Sequence, residues 1–259
     1  MTFNQKFQDE VKDNVRRLGM DKKLSQESLN WMMRAGSVGA YSYNFSWLGR
    51  PIIQYPQDIQ AVQEIIWDVR PDLIIETGIA HGGSLVLSAS MLAILDMCDA
   101  IEAGEVLDPK KSKRKVLGVD IDIRSHNRMA IERHPMSSFI QMIQGSSVDS
   151  AVIEKVQEVA KNYSRVLVFL DSNHTHEHVL SELKAYASLV SVGSYCIVFD
   201  TLIEDVPAEL FSDRPWGPGN SPKSAVKQYL KTHPEFEIDI DIQNKLQITV
   251  APDGFLKRI

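Results

Sequence analysis

Short apolar runs recur through the middle of the chain at residues 73–76, 116–120, 139–143, 166–171 and 195–200, each bounded by turn residues. Runs this short and this uniformly apolar predict strands buried on both faces of a sheet. Between them the spacing turns helical over 84–101, 125–133, 147–161 and 177–190. In the last, Val179, Leu180, Leu183, Tyr186, Ala187 and Val190 form one apolar stripe at i, i+3, i+4 and i+7. Alternating strands and helices predict an α/β protein, doubly wound around a mostly parallel sheet.

The end of the chain breaks this rhythm. Phe236, Ile238, Ile240 and Ile242 alternate with polar residues, Gln243 and Asn244 follow, and Leu246, Ile248 and Val250 alternate again. That pattern predicts an antiparallel hairpin. A seven-stranded Rossmann-like sheet finished in this way is the class I methyltransferase arrangement.

Ahead of the sheet, residues 3–18 and 25–34 predict two helices, with Ser25 as an N-cap. Tyr41 to Pro51 is aromatic-rich and irregular, and Pro56 opens a helix over 57–69. The expected organisation is an N-terminal helical and aromatic lid segment, 1–55, before a catalytic domain, 56–259. The irregular stretch 207–222, with Trp216 between prolines, predicts either a lid or a surface loop.

Composition narrows the function. The 259 residues are 44% apolar with a formal net charge of −6, which excludes a general nucleic-acid binder. The basic run Lys110 to Lys115 reads as a solvated loop. Cys98 and Cys196 sit in apolar contexts and predict buried, reduced thiols in a cytoplasmic protein. The start of the chain has no apolar signal region, and no apolar run approaches the ~20 residues of a membrane span.

The candidate chemistry begins at Asp72-Leu-Ile-Ile-Glu-Thr-Gly-Ile-Ala-His-Gly-Gly-Ser84. Gly78, Gly82 and Gly83 let backbone approach a ligand, but Ala80 replaces the second glycine of a dinucleotide motif, and Glu76 would repel a diphosphate. A carboxylate there suits a cationic, hydroxyl-rich ligand such as S-adenosylmethionine, with Glu76 and Ser84 at its methionine end. Asp120, ending the second strand 44 residues after Glu76, suits the ribose hydroxyls. Ser146 and Ser147 suit the adenine edge or a helix cap. His81 reads as a packing group beside the ligand.

Asp171 and Asp200 end the fourth and fifth strands and could hold Mg²⁺, which would lower the pKa of an acceptor hydroxyl. His174 is the candidate general base. His174, His176 and His178 with Asp171 could instead form a two-histidine, one-carboxylate iron site. Tyr43, Phe45, Trp47 and Trp216 could stack on a sugar ring or form the core of the lid.

The motifs Asn44-Phe-Ser-Trp-Leu-Gly-Arg-Pro-Ile-Ile-Gln54, Ile75–Ser84, Gly118-Val-Asp-Ile-Asp122, Gln144-Gly-Ser-Ser147, Leu170-Asp-Ser-Asn-His174 and Tyr195-Cys-Ile-Val-Phe-Asp-Thr201 follow in order. With them the chain resembles the cephalosporin hydroxylase family, which includes rhamnosyl O-methyltransferases, from about residue 31 onward. The resemblance implies an S-adenosylmethionine methyltransferase fold and O-methylation of a sugar, polysaccharide-precursor or small natural-product hydroxyl. It also implies a divalent metal and a homo-oligomer. Asp171 would then face the cofactor as well as the metal. One position departs: metal-dependent relatives carry Glu just before the aspartate of the fifth strand, and here Phe199 stands there. The alternatives are an iron-dependent hydroxylase and a non-catalytic cofactor-binding subunit.

Overall fold

The computed structural model describes residues 3–259. Two helices, α1 (Phe3–Met20) and α2 (Lys22–Gly39), open the chain. Asp21, not Ser25, caps α2: its Oδ1 accepts the Leu24 N–H at 3.0 Å. The aromatic stretch is more ordered than its sequence suggests. It forms an antiparallel hairpin of β1 (Phe45–Trp47) and β2 (Arg50–Ile52). Positive φ at Leu48 (45°) and Gly49 (85°) supplies the tight turn that hairpins of right-handed twist prefer. Helix α3 (Pro56–Val69) then starts with Pro56 in its first turn.

The expected alternation follows as β3 (Leu73–Thr77), α4 (Gly83–Ala103), β4 (Lys115–Asp120), α5 (Ser125–Glu132), β5 (Ile140–Gln144), α6 (Ser150–Ala160), β6 (Val166–Leu170), α7 (His176–Tyr186) and β7 (Tyr195–Val198). After a long connection come α8 (Pro222–Tyr229), β8 (Phe236–Ile238), α9 (Ile240–Leu246) and β9 (Phe255–Arg258). The seven strands lie in the order β5-β4-β3-β6-β7-β9-β8. The first five are parallel, while β9 runs antiparallel to both β7 and β8. The direction of winding reverses between β3 and β6, so a crevice opens beyond their carboxyl ends.

The closing antiparallel pair is present, but its second strand is not the expected one. Residues 240–246 form α9, because Ile242 and Leu246 are also four apart and pack on the core as a helical stripe. The following segment is drawn out of the sheet by Asp58. This buried carboxylate accepts the Val250 N–H at 3.0 Å and the Thr249 hydroxyl. Sheet pairing resumes only at Phe255.

Alternate residues of the strands feed two cores, one on each face. Ile74, Val116, Leu167 and Ile197 face one side with Leu85 and Leu92; Ile75, Leu117, Val168 and Val198 face the other with Leu183 and Tyr186. Each such full burial stabilises the fold by about 1.5–3 kcal/mol. Among the described residues α4 is the one helix long and apolar enough to cross a membrane, and half of it is buried inside the fold. Its apolarity is explained by that packing.

The basic loop divides. Lys110 and Lys111 are exposed, but Arg114 turns inward, donating to Asp99 at 2.7 Å and pairing with Asp96 on α4. Cys196 is buried, Cys98 half-buried, and both are free thiols.

Candidate active site at the carboxyl ends of the strands

A cavity of about 760 Å³ lies over the crevice, walled by the β3–α4 turn, Asp120, Asp171, His174, Asp200 and the loop bearing Trp216. The turn is shaped by close approach. A Cβ on Gly78 (φ 90°) would sit 2.0 Å from the Asp171 carbonyl oxygen. Gly82 and Gly83 are likewise set by packing: their Cβ atoms would strike Ile131 at 2.4 Å and the Pro51 carbonyl at 2.2 Å. Asp120 fastens the turn to β4, its Oδ2 accepting Ile79 N–H at 2.7 Å and Ala80 N–H at 3.3 Å. Its Oδ1 accepts Asp122 N–H at 3.0 Å. Asn127 donates to the Ala80 carbonyl at 2.9 Å, and Arg50 to the His81 carbonyl at 3.0 Å. His81 itself lies in the cavity wall.

Glu76 is 2% exposed. One oxygen accepts from the Ser84 hydroxyl, while Oε2 has no partner among the described residues. Burial pushes the carboxyl up to about 8, against the lowering effect of the Ser84 bond. Glu76 faces a small chamber of about 20 Å³ with Gln54, Asp58 and Phe199 in its wall. Ser84 and Asp171 line both this chamber and the main cavity.

Asp171 follows β6, its N–H bonded to the Thr77 carbonyl at 3.0 Å. Burial, and then the negative charges of Asp200, Glu76 and Glu182, hold its carboxyl well above the usual range. Asp200 follows β7 with φ 55°. The His174 Nε2 lies 3.5 Å from Asp200 Oδ2, and ligand-capable atoms of Asp171, His174 and Asp200 all fall within 4.8 Å of one another. Trp216 meets the His174 ring edge-on at 4.8 Å, and the Arg214 guanidinium lies over the Trp216 ring at 5.5 Å. The 207–222 loop thus reaches the site.

The other histidines go elsewhere. His176 joins α7 to α8 through Ser224 Oγ at 2.7 Å and Gln228 Oε1 at 2.9 Å. His178 lies 3.1 Å from the hydroxyls of both Ser147 and Ser172, beside buried Glu182. The two-histidine, one-carboxylate iron set is therefore not assembled, because the start of α7 turns the three rings in different directions. Ser147 is 5% exposed, held by His178 and by the Tyr186 hydroxyl on its carbonyl, and is not in the cavity wall. Of the aromatic candidates, Tyr43 and Trp216 line the cavity. Phe45 and Trp47 pack on the core, Trp47 Nε1 donating to Ser90 Oγ at 3.0 Å.

Some contributors were not legible. Nothing in the sequence marks Asn127 or Asp58 as buried polar groups beside the site. Arg50 lies in a motif read for its resemblance alone.

This sheet order, with its closing antiparallel strands, and the glycine turn after β3 are those of the class I methyltransferase fold. The profile of the rhamnosyl O-methyltransferase/CmcI family matches residues 39–259, and the chain belongs to that family. It is 32% identical to a rhamnosyl O-methyltransferase of Mycobacterium tuberculosis over 203 residues, 78% of this chain and 73% of the relative. With the Mycobacterium leprae rhamnosyl O-methyltransferase the identity is 28% over 216 residues, 82% of each. Among solved structures, CmcI with Mg and SAM is similar in fold, with a TM-score of 0.55 at 19% identity over 84% of this chain and 77% of that one.

Proposed function

We propose that this protein transfers the methyl group of S-adenosylmethionine to a sugar hydroxyl, on a polysaccharide precursor or a glycosylated small molecule, with a divalent ion assisting. The observation that carries this reading is the gathering of Glu76, Asp120, Asp171, His174 and Asp200 around two adjoining spaces at the strand ends. The cofactor fits what the chain offers: an acid-lined cavity beside the β3–α4 turn and an orphaned buried oxygen on Glu76. A hard divalent ion fits the Asp171 and Asp200 carboxylates.

When bound, the cofactor supplies a sulfonium methyl, and the ion makes an acceptor hydroxyl more acidic. The chain's own residues do the rest. Glu76 is kept neutral by burial until a cationic ammonium group arrives to stabilise its charge. Asp120 holds the turn in place and offers its carboxylate to ribose hydroxyls. The His174 imidazole, 3.5 Å from Asp200, shares the cavity wall with it where an acceptor hydroxyl would enter. Trp216 and Tyr43 give a sugar ring apolar faces to rest on. Positioning is the main requirement of such in-line transfer.

A cytoplasmic location and a homo-oligomer belong to the same reading, supported by the two free cysteines and by the family resemblance. The test is titration with S-adenosylhomocysteine, followed by labelled-methyl transfer to rhamnosyl and other glycosyl acceptors. Binding and transfer are expected; a protein that neither binds the ligand nor methylates any sugar would falsify the proposal.

A further inference from the structure

We infer that His174 is itself a metal ligand, and that with Asp171 and Asp200 it makes a centre preferring Mn²⁺ or Co²⁺ to Mg²⁺. This rests on the methyl-transfer reading and names the metal class for its site. Three observations lead there.

The first is what the neighbouring position lacks. Phe199, just before Asp200, is 5% exposed and packs edge-on to Phe169 at 6.0 Å, so it offers no donor atom. Two carboxylates remain, and His174 is the nearest side chain able to add a third ligand.

The second is charge. Asp171 and Asp200 stand together in the cavity wall, and among the described residues no lysine or arginine pairs with either. Two carboxylates sharing one partly buried corner favour a cation between them. An ion shared by the three side chains would supply that positive charge.

The third is geometry. Donor atoms sharing one ion at bonds of ~2.1 Å stand ~3 Å apart when adjacent and ~4.2 Å when opposite. The His174–Asp200 separation of 3.5 Å lies inside that range, and the ligand-capable atoms of all three side chains fall within 4.8 Å of one another. Asn173, accepting from the Thr175 N–H and hydroxyl at 2.9 Å each, fixes the loop that presents the ring. Among the described residues Asp200 is the one polar side chain His174 meets, so ligation breaks no other bond.

The preference follows from the donors. Mg²⁺ favours all-oxygen surroundings and retains its waters, whereas imidazole nitrogen suits first-row transition ions, whose affinity rises from Mn²⁺ toward Cu²⁺. A ring committed to the ion is also unavailable as a proton acceptor, which separates this role from that of a free base.

The experiment uses the full chain stripped of metal with a chelator. Mg²⁺, Mn²⁺ and Co²⁺ are titrated by calorimetry, and bound Mn²⁺ is examined by pulsed EPR for coupling to ¹⁴N. The expected result is ¹⁴N coupling and Mn²⁺ binding tighter than Mg²⁺ by about tenfold or more. His174→Ala should abolish the coupling and weaken Mn²⁺ and Co²⁺ by about tenfold while changing Mg²⁺ less. His174→Asp should restore affinity without the coupling and narrow the Mn²⁺/Mg²⁺ gap. His178→Ala serves as the control that keeps the coupling. The inference is overturned if wild-type protein binds no divalent ion, shows no ¹⁴N coupling, or keeps its metal affinity in His174→Ala. S-adenosylhomocysteine titration of the same samples tells the two readings apart: its failure counts against methyl transfer, whereas intact cofactor binding without ¹⁴N coupling counts against ligation alone.

Discussion

The two sides of the cavity rim are built in opposite ways. Along β3 and β4, Asp120 takes up the turn amides, Ser84 meets Glu76, and Arg50 and Asn127 hold the turn carbonyls. Along β6 and β7, Asp171 and Asp200 lie together with the His174 imidazole beside them, and among the described residues no lysine or arginine pairs with either. The first side is folded in advance of its ligand, which spares the cost of ordering it on binding. The second is unfinished without positive charge. On the proposed reading, cofactor recognition and reaction chemistry fall to neighbouring strand ends, and substitutions on the two sides should have different signatures.

The largest effect belongs to the unfinished side. Asp171→Ala should lower methyl transfer by about 10³-fold, while calorimetry finds S-adenosylhomocysteine binding changed by no more than a few-fold. Equal loss of both would erase the distinction. Next is the preformed side: Gly78→Ala forces a methyl against the Asp171 carbonyl at positive φ. It should cost about 3 kcal/mol in denaturant unfolding and take cofactor binding with it.

Glu76 sharpens the comparison through pH. Its carboxyl is raised from about 4.5 to about 8 in the folded protein. The unfolded chain therefore releases this proton first, and stability falls as pH climbs from about 4.5 to about 8, by at most ~1.4 kcal/mol per pH unit. Affinity for a cationic ligand should rise over the same window. Glu76→Gln should flatten both profiles and weaken cofactor binding at pH 8 by about tenfold. A wild-type affinity independent of pH would remove Glu76 from the ammonium end of the ligand.

The smallest effect is expected outside the rim. His176→Ala should cost about 1 kcal/mol of stability through its lost bonds to Ser224 and Gln228, with metal binding and methyl transfer unchanged.

The parallel strands were legible because burial on two faces leaves a continuous apolar run, and Glu76, Asp120, Asp171 and Asp200 because strand ends open onto the crevice. Residues 240–250 were not, since Ile242 and Leu246 satisfy a helix as well as a strand, and only the buried Asp58 decides between them. The histidines look equivalent in sequence; α7 beginning at His176 sends each to different partners. Ser147 likewise fell to Tyr186 and His178, neighbours that only the packing of α7 reveals. Arg114 looked like part of a solvated run until α4 brought Asp96 and Asp99 beside it.

The carbonyl of Pro51 rests where a side chain on Gly83 would begin. The front of the protein is therefore not a detachable accessory: the hairpin and the first turn of α4 are complementary surfaces. Exchanging this front end with that of a relative, in order to retune which acceptor enters, should succeed only when hairpin and turn are transplanted as one piece.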